Sequence, residues 1–362
     1  MTLAVNIAQG GSNNVTFRNR IINGAMVIDQ RNAGASITPT NGQFSVDRWA
    51  CFLSQASKYT IQQNAGSVTP PIGFINYLGA TSSAATSLGA TDWFGIAQRI
   101  EGFNIADLGW GTANAKTVTL SFQVYSSLTG TFGGSLNNNG FAYNYPFSYS
   151  IPIANTWTTI SITIAGPTSG TWLATNGFGV QVHFGLGVGS TYSGTAGSWT
   201  ATANILSATG ATSVVGTSGA TFYITGVQLE AGTTASPFEQ RLYGTELALC
   251  QRYYYRLTPS AAANPLGTSY SSSTTVNIGT VNFPVTMRDR PTALEQSGTA
   301  TDYSVLDGGG SAIVCSAVPT FSNSNYLSGR VFFTVASGLV AGQGGNLRAA
   351  TTSAYLGFSA EL

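Results

Sequence analysis

The chain has 362 residues, 43% of them hydrophobic, enough for two domains with a core each and too many for a disordered polymer. Only 7% are charged, 14 basic against 13 acidic, where an ordinary globular chain carries roughly 25%. So sparse a charge excludes a nucleic-acid binder, which neutralises phosphates with Lys and Arg, and it weakens the repulsion that keeps copies apart, which favours an assembly.

Residues 1–18 read as an amino-terminal attachment arm, broken by GGSNN at 10–14. The first residues lack the basic start and apolar run of a signal peptide. No segment offers ~20 uninterrupted apolar residues, so no membrane insertion is expected. From Arg20, the residues Ile21, Ile22, Met26 and Ile28 are expected to open the first strand around Gly24, within the stretch NRIINGAMVIDQR at 19–31. Asp47, Arg48 and Trp49 form a second local motif.

Residues 19–245 then alternate as short strands between Gly, Asn, Ser and Thr clusters, the pattern of an all-β sandwich. Val118, Leu120, Phe122 and Val124 share one face of a strand, and Ile160, Ile162 and Ile164 share one face of another. Val180, Val182 and Phe184 share a third, with His183 on the opposite side. Phe222, Ile224 and Val227 close the set, and Gly226 marks an expected bulge. Arg99 and Glu101 lie two apart and so on one strand face, placed to pair with each other or with a neighbouring strand.

Residues 246–258 read as a helical connector. Thr245 is placed to cap it, Glu246 sits in its first turn, and Leu247, Cys250 and Tyr254 recur on one face. Successive helical residues Tyr253, Tyr254 and Tyr255 spread around the axis, so at least one ring is expected to face a partner chain. Residues 259–362 read as a smaller carboxyl-terminal β domain, with strands at 275–283, 331–335 and 352–358.

Three segments carry a resemblance: NRIINGAMVIDQR at 19–31, Asp47-Arg48-Trp49, and GVQLEAGTTASPFEQRLYGTELALCQRYYY at 226–255. Together, and in this order, they resemble the β-sandwich modules of bacteriophage fibre and tail proteins. The resemblance implies a jelly-roll-like sandwich in a virion structural protein, assembled in the host cytoplasm as a homotrimer with other virion proteins. In such a fibre the arm attaches to the particle and the distal domains meet host surface glycans. The chain lacks a heptad or shaft region, which fits a short tail fibre on the tail or capsid surface; a capsid decoration or head-fibre subunit with a purely architectural role is the alternative. Modules of this kind often hold a structural calcium, for which Asp29, Asp47 and Glu230 supply oxygens; no other cofactor is expected.

Catalysis is not expected. Glycoside cleavage needs two carboxylates ~5–10 Å apart, and most of the 13 acids sit in structural motifs, leaving Asp92, Glu101 and Asp107 as the group of interest. Cys51, Cys250 and Cys315 have no metal-ligand spacing and are expected to be reduced; His183 is the only histidine. The glycines of 185–189 have no lysine after them and form no phosphate loop. Sugar binding suits an uncharged, aromatic chain better, because ring faces stack on sugars while amides bond hydroxyls. Aromatic residues are 11% of the chain, and Trp93, Trp110, Tyr143 and Tyr145 stand where no β-period demands them, the last two beside the amides of 137–139. The same rings could instead pack at subunit contacts.

Overall fold

In a computed structural model describing residues 18–362, the chain is all-β and divides into two units, the second beginning at Tyr243. The expected arm lies, except for Arg18, outside the described residues. Among the described residues no helix is long and apolar enough to cross a membrane.

The first unit contains β1 (Ala50–Leu53), β2 (Tyr59–Gln63), β3 (Leu78–Ser82), β4 (Trp93–Glu101), β5 (Val118–Ser126) and β6 (Gly130–Asn138). It continues with β7 (Asn144–Ile151), β8 (Thr158–Ile164), β9 (Phe178–Val188), β10 (Ser193–Gly194), β11 (Ser207–Ala208) and β12 (Thr221–Ala231). Two five-stranded sheets result, ordered β1-β4-β9-β6-β7 and β2-β3-β12-β5-β8, and β10 and β11 make a short parallel pair. The pairings within both large sheets are antiparallel.

Period-two burial explains the sandwich. Val118, Leu120, Phe122 and Val124 of one sheet and Phe94, Ile96, Val180, Val182, Phe184 and Leu186 of the other enter a common core. Phe184 lies at its centre, with ring centroids 5.0 Å from Phe122, 6.1 Å from Phe147 and 6.2 Å from Trp49. The β12–β5 register slips between Thr225 and Gln228, and Gly226 there has a φ of 63°, the bulge that the sequence pattern anticipates.

The first and third motifs, with Asp47-Arg48-Trp49 between them, knit into one buried polar knot. Asn19 takes the Leu229 amide on its Oδ1 at 3.0 Å and gives Nδ2 to the Val227 carbonyl at 3.1 Å. Asn23, at a φ of 58°, bonds both backbone groups of Ile28 and the Asp47 carbonyl, while its own carbonyl accepts the Trp49 indole at 3.1 Å. Arg241 donates to the carbonyls of Asn19 and Ile21, and Glu239 receives the Asn19 amide at 2.7 Å. A side chain at Gly24 would begin 2.2 Å from the Val227 oxygen, so only glycine fits. These bonds compete with a ladder, and Ile21, Met26 and Ile28 are buried without forming the strand expected of them.

The second unit opens on the helix α1 (Tyr243–Gln251) and β13 (Tyr254–Leu257). Its other strands are β14 (Pro265–Ser271), β15 (Val276–Asn282), β16 (Leu294–Gln296), β17 (Tyr303–Leu306), β18 (Ala312–Ser324), β19 (Ser328–Val335), β20 (Gly344–Ala349) and β21 (Leu356–Ser359). Six of these close into a barrel, β14-β15-β19-β18-β17-β20, and β13-β21-β16 form a separate sheet. Val331, Phe333, Leu347, Leu356 and Phe358 fill a core belonging to this unit.

The tyrosine run corrects the sequence reading. The helix stops at Gln251 and places Thr245 inside itself, so the three rings are not successive helical residues. Tyr253 and Tyr254 are wholly buried; the Tyr254 hydroxyl donates to Glu295 at 2.8 Å, and Tyr255, half-buried, packs on Phe283 and Phe358. Apolar β13–β21 pairing captures this segment, which leaves Tyr253 and Tyr254 no ring to offer a partner chain.

Candidate functional site

The residues of the β1-β4-β9-β6-β7 sheet that point away from the core form its outer face. Cross-strand pairing sets Phe52 opposite Gly95, Ala97 opposite His183, and Arg99 opposite Gln181, with Asn137 and Asn144 continuing the last row. Part of this face is covered by a strap, residues 189–212, that carries β10 and β11. Three buried polar side chains of the sheet hold three strap carbonyls. Asn144 Nδ2 donates to Thr202 O at 2.7 Å, Asn137 Nδ2 to Ile205 O at 2.8 Å, and His183 Nδ1 to Leu206 O at 2.9 Å. Close approach requires small residues beneath it: a Cβ on Gly133 would stand 2.5 Å from the Ser207 hydroxyl.

Beside the strap the face opens into a cavity of about 370 Å³. Phe52, Trp93, Arg99, Gln181 and His183 come from the sheet; Tyr192, Asn204 and Leu206 from the strap; and Asn41 and Phe141 from loops. Aromatic rings and amides dominate, with one cation and no carboxylate in the lining. The Arg99 guanidinium lies 5.2 Å from the Phe52 ring centre and 4.9 Å from that of Phe178, and its Nε donates to Gln181 Oε1 at 3.1 Å. Burial lowers its affinity for the proton without approaching neutrality at ordinary pH. Burial also pushes the His183 pKa down to about 4, so the ring is neutral at pH 7.

Asn137 is fully buried, and its amide bonds Ile205 O and Asn144 Oδ1. Asn137→Ala is therefore expected to cost the first unit about 1–3 kcal/mol, because both acceptors lose a donor in a buried place. A shift of the denaturant midpoint checks this.

A second recess of about 540 Å³, lined among others by Ile72, Phe74, Phe122, Ile160 and Phe238, has no charged group in its lining. Serine, threonine and glutamine side chains line it as well, but its rings Phe74 and Phe238 pack edge to face on each other at 5.1 Å.

Of the four aromatic candidates, Trp93 lines the first cavity. Trp110 and Tyr145 are only 6% and 8% exposed and cannot present a face to a sugar. With Tyr143, Trp172 and Trp199 they form a packed ring cluster: Trp199 lies within 5.7 Å of all four others, and the indole N–H groups of Trp110, Trp172 and Trp199 are spent on backbone carbonyls. Tyr145 belongs to β7 rather than a loop; its ring packs on Trp199 of the strap, and its neighbour Asn144 holds the Thr202 carbonyl.

The calcium trio is not assembled either. Asp29 accepts the amides of Asn32 and Gly34, buried Asp47 is held by Gln30, and Glu230 is held by Gln228, Ser236 and Arg18. Each carboxylate is occupied by the chain's own donors. Among the described residues no three His, Cys, Asp or Glu side chains gather as a metal group. Of the other acids of interest, Asp92 is engaged by Ser54, Gln55 and Gly89, Asp107 by Arg20 at 2.7 Å, and Glu101 is buried at the end of β4. All three cysteines are buried.

Phe52, Phe141, Gln181, Asn204 and Leu206 escaped the sequence reading as site residues. Period two does place Arg99, Gln181 and His183 on outward faces, but nothing local brings the strap across them.

No protein-family model matches the chain, and no curated protein matches it. Several solved structures are similar to part of it. The enzymatically active domain of tailspike protein 4 of bacteriophage CBA120 is 14% identical with a TM-score of 0.34; the match covers 59% of this chain and 22% of that one. The Family 11 carbohydrate-binding module from Clostridium thermocellum, in complex with a β-1,3-1,4-mixed-linked tetrasaccharide, is 12% identical with a TM-score of 0.30, over 56% of this chain and 100% of that one. TmCBM61, in complex with β-1,4-galactotriose, is 10% identical with a TM-score of 0.28, over 53% and 92%.

Proposed function

We propose that the first unit is a glycan-binding module within a virion structural protein, a short tail fibre subunit that works as a homotrimer. The cavity on the outer face of the β1-β4-β9-β6-β7 sheet carries the binding half of the reading. Phe52 and Trp93 offer ring faces, while the exposed Asn41 and Asn204 offer amides that bond hydroxyls in either direction. A lining without carboxylates is poorly suited to two-acid glycoside cleavage, which favours binding over hydrolysis. The particle-building half rests on the resemblance of the three motifs, which no cavity-lining residue belongs to. Architecture and recognition thus draw on separate residues.

A glycan array with the purified protein tests the reading. Selective binding is expected, and Trp93→Ala is expected to weaken it roughly ten- to thirtyfold, about 1.4–2 kcal/mol, with little change in folding because Trp93 is partly exposed at the start of β4. No binding, together with tight attachment to empty capsids, would instead support a decoration or head-fibre subunit. Light scattering reads the trimer.

A further inference from the structure

In a chain with only 7% charged residues, the cavity beside the strap has a guanidinium in its wall and no carboxylate. Three strands paired side by side fix where that group sits. The rings of Phe52 on β1 and Phe178 on β9 lie 5.2 and 4.9 Å from Cζ of Arg99 on β4, and the buried Gln181 of β9 takes its Nε at 3.1 Å. Arg99 is half-buried, so water reaches only part of it, and the loss of water is what lowers its affinity for the proton. A cation drawn partly out of water gains most from an anion placed against it. The nearest acids along the strand do not enter the wall: Glu101, two residues on, is buried outside the lining, and Asp92 is bonded to Ser54, Gln55 and the Gly89 amide. A solute entering the cavity therefore meets one positive charge among rings and amides, with no protein carboxylate in the wall to repel an anion.

We propose that the ligand of this cavity is an acidic sugar, a hexuronate or a sialic acid, and that Arg99 selects it by binding its carboxylate. A planar guanidinium matches the two oxygens of a carboxylate better than it matches a hydroxyl, and a pair of this kind is stronger than a neutral hydrogen bond. The rest of the wall suits the remainder of such a sugar: Trp93 is partly exposed and supplies a ring face, and the exposed amides of Asn41 and Asn204 supply donors and acceptors for hydroxyls. A neutral hexose in the same place would displace water from the guanidinium without bringing an anion in exchange, and is disfavoured for that reason. The inference rests on the glycan reading and adds to it the class of sugar.

Calorimetric titration of the full chain tests it. The probes are the methyl glycosides of glucuronic acid, galacturonic acid and N-acetylneuraminic acid, the methyl ester of each, and the methyl glycosides of glucose and galactose. At least one acid is expected to bind, roughly ten- to a hundredfold more tightly than its own ester. The ester keeps the ring and every hydroxyl and loses only the charge, so this comparison needs no substitution in the protein. Arg99→Gln, with its fold checked by tryptophan-detected urea unfolding, is expected to bring the acid down to the affinity of its ester and to leave the ester unchanged, whereas Trp93→Ala weakens both. Trp93-dependent binding in which acid and ester are equal, or in which the neutral glycosides bind and the acids do not, would overturn this inference and leave the glycan reading standing. So would an acid preference that survives in a folded Arg99→Gln. Failure of every glycoside to bind would overturn both.

Discussion

Lowering the pH from 7 to 4 is expected to destabilise the first unit by about 3 kcal/mol through His183 alone, because the unfolded chain gains a proton that the folded chain refuses. The folded pKa is depressed to about 4, mainly by burial, from an ordinary value of 6.5. Between these values the unfolded state binds more protons, so stability is complete above about 6.5 and falls as the pH drops toward 4, where the folded ring also protonates. Asp47 works in the other direction: burial raises its pKa, so the folded state takes up its proton first as the pH falls. The measurement is therefore a comparison. Unfolding midpoints followed by tryptophan fluorescence at pH 7, 5.5 and 4 are expected to fall in the native protein and to fall less in His183→Gln. All six tryptophans lie in the first unit, so the signal excludes the barrel. An NMR titration of the single imidazole supplies the folded pKa without a substitution.

Phe184→Ala is expected to cost the same unit about 3–5 kcal/mol, the usual loss for removing a buried phenyl ring when the surroundings cannot collapse. Collapse is hindered here because Trp49, Phe122 and Phe147 converge on that ring from other strands and loops. The residue also adjoins His183 on β9, one side chain facing the core and the next facing the cavity. Loss of the ring is thus expected to loosen the cavity floor as well as the core. Tryptophan-detected urea unfolding reads the stability, and the slope of that transition shows whether the native state has lost compactness.

Much of the sandwich was legible because β5, β8 and β9 alternate apolar with polar or glycine residues at period two, and the bulge was legible because a glycine breaks that period in β12. Failures fell where local chemistry or distant pairing outweighed periodicity. Asn19 and Asn23 divert the backbone at 19–28 into side-chain bonds, so apolar residues there are buried without a strand. The tyrosines after Gln251 follow a helical pattern in sequence, yet pairing of β13 with β21, about a hundred residues onward, turns them into a strand and buries two rings. The candidate site was legible only at Trp93. Its other walls come from pairing β1, β4 and β9 side by side and laying a strap over them, and no spacing in the sequence announces that Leu206 meets His183. Abundance of aromatics was a poor guide, since Trp110 and Tyr145 spend their rings on one another's neighbours rather than on solvent.

On the proposed reading, ligand is held on the outer face of the β1-β4-β9-β6-β7 sheet beside the strap. Backbone amide mapping by NMR, with the glycan selected on the array titrated into the ¹⁵N-labelled protein, tests it most directly. Shifts are expected to concentrate at residues 93–99, 181–185 and 204–206. Shifts confined to the ring cluster around Tyr143, Trp172 and Trp199, or to the Ile72 and Phe74 recess, with the cavity residues unmoved, would contradict it.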